Sequence, residues 1–163
     1  MQNTVGRDIP EHIEGYYPIK PFAGAYNNPG TVTRASVRNR CAVPGHSKLL
    51  PSIRRALEAC ELRDGATISF HHHLRNGDYV LNMVLDEIAR LGIKDIRVAA
   101  SSLFPVHAPL VDHFKKGIVT GIHTGYMSGP VAEVVSGGAL NKAVVMQTHG
   151  GRARAIECGD LHV

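Results

Sequence analysis

The stretch ATISFHHHLRNGDYVLNMVLDEIARLGIKDIRVAA, residues 66–100, decides the predicted fold. Residues 66–71 and 94–100 are short, apolar and rich in residues that favour strands. Between them, apolar side chains recur at helical spacing, on Leu81, Val84, Leu85 and Ile88. The stretch therefore predicts a strand, a helix and a second strand, and such a unit places its two strands side by side and parallel.

The same alternation continues on both sides of this unit. Ser47 and Pro51 predict the start of a helix that reaches Cys60. Beyond residue 100 we expect helices at 107–116 and 130–136 and strands at 118–123 and 143–148. Apolar strands of this kind are buried on both faces. The fold class is therefore predicted as α/β, with a mostly parallel sheet flanked by helices in three layers.

The two ends of the chain differ from this pattern. Residues 1–46 contain Pro and Gly too often for long elements, and we expect an irregular N-terminal arm beside an α/β domain of residues 47–163. Residues 152–158 predict one more strand, and residues 161–163 would begin another. A chain that stops there is expected to be the N-terminal piece of a longer protein, truncated at its C-terminal end.

Composition excludes several classes of protein. Hydrophobic residues make up 44% and charged residues 20%, as in soluble globular proteins, and no apolar run is long enough to cross a membrane. The three cysteines form no CxxC pair, so we expect reduced thiols in a cytoplasmic protein. The net charge of +4 is not clustered, and aromatic residues are only 6%. Neither a nucleic acid nor a membrane is therefore an expected partner.

Unusual residues follow the predicted strands. In a parallel sheet the carboxyl ends of all strands lie at one edge, where ligands bind. The residues expected to converge there include six of the ten histidines and two arginines: His71, His72, His73, His107, His123, His149, Arg75 and Arg152. Asp78, the one acid nearby, is explained by helix capping. Cations and hydrogen-bond donors without carboxylates predict a site for a phosphate or a polycarboxylate.

Other chemistries have weaker support in the sequence. The chain lacks the GxSxG, GxGxxG and GxxxxGK[ST] motifs. His71 and His73 form a His-X-His pair, yet no further ligand stands at a fixed spacing, and we predict no metal site. Two alternatives stay open: a metal-dependent hydrolase built on the histidines, and a sugar-phosphate-binding sensor domain of similar fold.

Four segments of the chain resemble one family. They are GRDIPEHIEGYYPIKPFAGAY (6–26), SFHHHLRNGD (69–78), ASSLFPVHAPLVDHFKKGIVTGIHTGYMSGPVAEVVSGG (100–138) and THGGR (148–152). All are similar to the N-terminal part of citrate lyase alpha subunits, which belong to the coenzyme A transferase superfamily. The resemblance implies the first coenzyme A transferase-like domain of a citrate–acyl-carrier-protein transferase. Such an enzyme converts acetyl-carrier protein and citrate to citryl-carrier protein and acetate.

The resemblance also implies partners and site residues. The partners would be citrate, a beta subunit that cleaves the citryl thioester, and an acyl carrier protein gamma subunit, together in a hetero-oligomer. The coenzyme A-like prosthetic group would belong to the carrier, with no cofactor bound directly. Catalytic residues are expected outside this part of the family's chain, so the piece alone would be inactive. The predicted substrate-binding residues are His71, His72, Arg75, Asn76, Gly77, Ser101, Ser102, Gly125, Ser128, Gly129, His149, Gly150, Gly151 and Arg152.

Overall fold

The computed structural model describes residues 1–16, 18–21, 45, 47–71, 74 and 76–163. The chain falls into two units, Met1–Pro44 and Gly45–Val163. In the first unit the described residues form no helix and no strand beyond an isolated antiparallel bridge between Gln2 and Asp8. The rest of the predicted arm, residues 17, 22–44 and 46, lies outside the described residues.

In its described residues the second unit alternates strands and helices. The strands are β1 (Thr67–Phe70), β2 (Ile96–Ala100), β3 (Val119–Thr124) and β4 (Val145–Met146). The helices are α1 (Ile53–Ala59), α2 (Val80–Arg90), α3 (Leu110–Lys115), α4 (Pro130–Ser136) and α5 (His149–Cys158), with a 3-10 turn at Pro105–His107. None of these helices has the length and apolar character needed to cross a bilayer.

The sheet is parallel throughout, in the order β1-β2-β3-β4. Ser69, Ala99 and His123 are register partners across the first three strands. Because every strand runs the same way, the segments after β1, β2, β3 and β4 all begin at one edge of the sheet. The predicted α/β class with a parallel sheet is confirmed.

The two faces of the sheet differ in chemistry. One face presents Ile68, Val98 and Ile122, which join the core with apolar side chains of α2, α3 and α4. The opposite face presents Ser69 and His123, since side chains alternate along a strand. Helix α5 lies over this second face, where its Arg152 side chain donates to Ser69 Oγ. Helices therefore cover both faces, as the predicted three layers require.

Several predicted element boundaries are wrong. Helix α1 begins at Ile53 rather than near Ser47, because Ser52 is its N-cap and accepts from the Arg55 amide at 3.2 Å. The predicted helix at 107–116 divides into the 3-10 turn and α3, since Pro109 has no amide to continue the first turn. The predicted strand at 143–148 shortens to Val145–Met146.

The strand predicted at 152–158 is a helix, α5. Thr148 caps its first turn by accepting from the Gly151 amide at 3.1 Å, and Gly159 ends it at φ 78°. Between the caps, the sequence RARAIE has high helix propensity. Thr148 is therefore the cap of a helix, and residues 149–151, which lie between the strands predicted at 143–148 and 152–158, belong to its first turn.

The last residues of the chain lie along the outer edge of β1. The Ser69 amide donates to the Val163 carbonyl at 2.7 Å, and the Val163 amide donates to the Thr67 carbonyl at 3.3 Å. These are the two hydrogen bonds of a parallel bridge. The expectation that residues 161–163 begin a strand is wrong, since they form no strand and only Val163 pairs with β1 in this way.

Candidate anion-binding site

A cleft of about 450 Å³ lies at the carboxyl edge of the sheet. Its walls come from the segments that follow β2, β3 and β4. The lining residues are Ser101, Ser102, Gly125, Tyr126, Met146, Gln147, Thr148 and His149. A narrower crevice beside it shares part of this lining and adds Ala100 and Arg152. The edge predicted to bind a ligand is therefore concave.

Gly125 lies where two backbones approach each other closely. A Cβ atom on Gly125 would stand 3.1 Å from the Gln147 carbonyl oxygen and 3.2 Å from that of Ser101. The Gly125 amide donates to Ser101 O at 3.3 Å, and the Gln147 amide donates to Thr124 O at 2.9 Å. A side chain here would push the segments after β2 and β4 apart. Glycine thus keeps the cleft walls at their spacing.

The first turn of α5 forms one wall of the cleft. Thr148 uses its hydroxyl to satisfy the Gly151 amide, while His149 and Gly150 begin the helix. The amides of a helix's first turn point out of its N-terminus, where the helix dipole favours negative charge. This wall is therefore electropositive before any side chain is counted.

Arg152 adds a full positive charge beside this turn. Its Nη1 donates to the Ala99 carbonyl at 3.1 Å and its Nη2 donates to Ser69 Oγ. Burial lowers the pKa of the Arg152 guanidinium. All 14 acidic side chains lie in the described part of the chain, and none of them forms an ion pair with Arg152 there. A partly desolvated cation without a counter-ion is electrostatically suited to an anionic ligand.

Two of the predicted histidines meet at the rim of the cleft. The rings of His71 and His149 stand edge to face with centroids 6.2 Å apart. Both residues are exposed, and they come from the segments after β1 and β4. The pair brings two imidazoles from opposite edges of the sheet together beside the cleft.

His107 does not join them, contrary to the expected convergence. Its side chain is fully buried, with Nδ1 accepting from the Phe104 amide at 3.0 Å and Nε2 lying 3.1 Å from the Asp78 carbonyl. A carbonyl only accepts, so the ring carries its proton on Nε2. His107 therefore joins the segments after β1 and β2 and is packed away from solvent.

His123 also differs from the expectation. It lies within β3, on the sheet face that α5 covers, and it is half-buried. Burial and the charge of Arg97 lower its pKa, against an opposing effect of Asp160. The predicted positions His72, His73 and Arg75 lie outside the described residues. Of the six histidines, the described structure thus brings only His71 and His149 to the rim.

The remaining predicted residues divide into two groups. Ser101, Ser102, Gly125 and His149 line the cleft, and Arg152 lines the adjoining crevice. Among the described residues that line the cleft and the crevice, the predicted Asn76, Gly77, Ser128, Gly129, Gly150 and Gly151 do not appear. Gly77 and Gly129 have packing reasons for being glycine. Each has a positive φ, and a Cβ would stand 2.8 Å from the His107 ring or 3.0 Å from Pro105, respectively.

The predicted set lacks four residues that line the cleft, Tyr126, Met146, Gln147 and Thr148. The last three belong to the strand predicted at 143–148, but β4 ends at Met146 and the chain turns there into the cap of α5. The available signal is Thr148 followed by His149 and two glycines, which is compatible with a helix N-terminus as well as with a loop.

In the described part of the chain, no three side chains of His, Cys, Asp or Glu cluster closely enough to hold a metal ion. The described cleft presents the His149 imidazole, hydroxyl groups and backbone amides, the crevice beside it adds the Arg152 guanidinium, and the His71 ring stands against His149. This donor set is suited to anionic oxygen atoms.

Comparisons with known proteins agree on one family. The family model of the citrate lyase alpha subunit matches residues 46–163. The citrate lyase alpha chain of Escherichia coli is 44% identical over 116 residues, which are 71% of this chain and 23% of that protein. The alpha chain of Klebsiella pneumoniae is 35% identical over 146 residues, 89% of this chain and 27% of that protein.

A solved structure is similar as well. It is a crystal structure of a citrate lyase alpha subunit from Streptococcus mutans in complex with citrate, with 46% identity and a TM-score of 0.77. The match covers 95% of this chain and 30% of that chain. The present chain thus spans about a quarter of the length of its curated relatives. The family model alone covers most of the chain, and the chain therefore belongs to the citrate lyase alpha-subunit family.

Proposed function

We propose that this chain is part of a citrate–acyl-carrier-protein transferase and that its cleft binds citrate. The reaction exchanges acyl groups on a carrier thioester: acetyl-carrier protein and citrate give citryl-carrier protein and acetate. Membership of the citrate lyase alpha-subunit family supports this activity. The relative from Streptococcus mutans, which was crystallised with citrate, supports the choice of ligand.

The observation that carries the proposal is the positive charge of Arg152 in the crevice beside the cleft. Arg152 has no acidic partner among the described residues, and it lies beside the first turn of α5 and next to His149. Citrate is a tricarboxylate, so one molecule can meet a guanidinium, a helix N-terminus and an imidazole at the same time. Bidentate pairing between an arginine and a carboxylate is among the stronger polar contacts in proteins.

The same donors suit the chemistry of acyl exchange. The acetyl carbon exchanges its C–S bond for a C–O bond to an oxygen that comes from a citrate carboxylate, and that citrate carbon exchanges a C–O bond for the C–S bond of the new thioester. Each of these substitutions at an acyl carbon passes through a tetrahedral oxyanion. Fixed donors lower the energy of such oxyanions, and removing one donor typically costs about 10²–10³ in rate. The amides at the start of α5 and the hydroxyls of Ser101 and Ser102 are the candidates in this chain.

Further parts of the proposal rest on the family alone. Residues 47–163 would form the first coenzyme A transferase-like domain, and groups outside this chain would complete acyl transfer. His72, Arg75, Asn76 and Gly77 stay predicted ligands on sequence grounds. A carrier gamma subunit with a coenzyme A-like prosthetic group and a lyase beta subunit would be the partners, in the cytoplasm.

Citrate binding by the natural gene product, purified with any subunits that accompany it, tests the proposal. We expect calorimetry to detect citrate binding and Arg152→Gln to weaken it by more than about tenfold, or 1.4 kcal/mol. Arg154→Gln is the matched control, because Arg154 lies in the same helix, is exposed and does not line the cleft.

Comparing the two variants distinguishes citrate binding in this cleft from attraction of citrate by the net charge of the protein. Equal losses in Arg152→Gln and Arg154→Gln would mean that net charge, not this cleft, attracts citrate. Absence of citrate binding by the wild-type protein, or absence of citrate-dependent acetate release from acetyl-carrier protein, would overturn the function. Thermal melting of both variants verifies that each is folded.

A further inference from the structure

We infer that Ser69 is a positioning residue that, with the carbonyl of Ala99, sets the orientation of the Arg152 guanidinium for a substrate carboxylate. The inference rests on the proposed function and deepens it. It concerns a residue of β1 that does not itself line the cleft.

The geometry begins with the register of the sheet. Ser69 and Ala99 are partners on neighbouring strands, and Arg152 reaches both of them from α5. Its two terminal nitrogens use different acceptors, Nη1 the Ala99 carbonyl and Nη2 the Ser69 hydroxyl oxygen. Two acceptors on two rigid strands fix the position of the guanidinium and also the plane in which it lies.

With its plane fixed in this way, the Arg152 guanidinium still has N–H groups that can donate to a ligand. A guanidinium carries five N–H donors in a rigid fork, and these two bonds use two of them. Arg152 lines a crevice of about 10 Å³ that shares Ser101, Gly125 and His149 with the larger cleft, so the guanidinium lies next to the space a ligand would occupy. Bidentate recognition needs two donors in the plane of the carboxylate, and holding that plane beforehand lowers the entropy cost of binding.

Partial burial and neutral hydrogen-bond partners keep the charge of Arg152 available for an anionic ligand. Arg152 is half-buried, and the two protein acceptors are a neutral carbonyl and a neutral hydroxyl. Neutral acceptors satisfy N–H groups without cancelling the charge. The charge therefore stays available to a carboxylate, whereas an Asp or Glu at position 69 would neutralise it.

The test compares Ser69→Ala, which removes the acceptor, with Ser69→Thr, which keeps a hydroxyl and suits a strand. We expect Ser69→Ala to raise the Kd and the KM for citrate by about tenfold, with a much smaller change in kcat. Ser69→Thr should restore most of the affinity. Ser136→Ala, an exposed serine at the end of α4, is the matched control and should bind citrate like the wild type.

A double-mutant cycle distinguishes positioning from general packing. If Ser69 acts through Arg152, then adding Ser69→Ala to Arg152→Gln should weaken citrate binding no further, because the guanidinium it positions is already gone. Additive losses in the double variant would overturn the inference. So would unchanged citrate affinity in Ser69→Ala, or equal losses in the Ala and Thr variants.

The inference and the proposed function can fail separately. Wild-type protein that binds citrate, together with a Ser69→Ala variant of unchanged affinity, overturns the role of Ser69 and leaves the function standing. Wild-type protein that does not bind citrate overturns both. A lower melting temperature of Ser69→Ala with an unchanged Kd assigns Ser69 to stability alone, which also contradicts the inference.

Discussion

The imidazole of His107 joins two loops that are far apart in sequence, because its Nε2 lies 3.1 Å from the carbonyl oxygen of Asp78. The same ring accepts from the Phe104 amide at Nδ1, 3.0 Å away. Asn82 adds a second bond between the same regions, from its amide nitrogen to the Val106 carbonyl at 2.9 Å. The segments after β1 and β2 are thus held together by buried polar contacts beneath the cleft edge.

The first prediction concerns the stability that this ring supplies. His107→Leu would leave the Phe104 amide and the Asp78 carbonyl without their ring partner in a buried position. Each such loss costs about 1–3 kcal/mol, so we expect the two together to lower the free energy of unfolding by about 2–6 kcal/mol. Denaturant unfolding of the wild type and the variant, analysed with the same m-value, measures this change in the free energy of unfolding.

A second buried histidine provides the matched control. His113 is 4% exposed, and its Nδ1 has no hydrogen-bond partner in the described structure. His113→Leu removes an imidazole of the same size but breaks no backbone bond, and its cost should stay below about 1 kcal/mol. Equal costs for the two variants would show that volume, not the bonds of His107, determines the loss.

The second prediction concerns Gly77, which packs against the His107 ring. Gly77 has φ 81°, and a Cβ there would stand 2.8 Å from Cε1 of His107. Gly77→Ala therefore suffers backbone strain and a steric clash together. Gly92 has φ 75° with no atom within 4 Å of the added Cβ, so Gly92→Ala suffers the strain alone.

The expected cost of Gly92→Ala is about 1 kcal/mol, and Gly77→Ala should exceed it by about 1–3 kcal/mol. Urea unfolding of both variants against the wild type gives the difference. If Gly77→Ala cost no more than Gly92→Ala, then the His107 ring would not be held at its present distance from Gly77.

The pattern of apolar residues made the parallel sheet predictable. Strands β1, β2 and β3 are each short apolar runs, and every one of them lies within a residue or two of its expected place. The parallel order of the strands made it predictable that the segments after them meet at one edge. It therefore also made predictable that Ser101, Gly125 and His149 contribute to one cleft. These features depend on local periodicity and on a general rule of α/β folds.

The roles of individual polar residues were less predictable. His107 and His71 both follow a strand, yet one is buried and the other is exposed, and only tertiary packing separates them. Helix α5 was mistaken for a strand because Arg152, Arg154 and Ile156 alternate with small or acidic residues in a way that suits both structures. Its caps decide between the two, and caps depend on backbone geometry.

The third prediction concerns the loss of folding stability at acidic pH. Burial lowers the pKa of His113, and this effect exceeds the opposing attraction of Asp86, whose Oδ1 lies 3.4 Å from Nε2. Lys116 acts in the same direction as burial, and Asp112 opposes it. The folded protein therefore binds this proton less readily than the unfolded chain, in which a histidine has a pKa of about 6.5.

The sign of the pH dependence follows from this difference. Well above pH 6.5 the ring is neutral in both states, and the full stability is present. As the pH falls below that value, the unfolded chain gains the proton first, so the free energy of unfolding decreases until the pH passes the folded-state pKa. Had the attraction of Asp86 prevailed over burial, acid would stabilise the fold instead.

Urea midpoints at pH 7.5, 6.5 and 5.5 test the prediction. The midpoint should fall with pH in the wild type and fall less in His113→Leu, with the remaining slope due in part to His123, whose pKa is also lowered by burial. Asp86→Asn should steepen the slope, because it removes the carboxylate that favours the charged ring. A His113→Leu variant with the wild-type slope would assign the acid sensitivity to other groups.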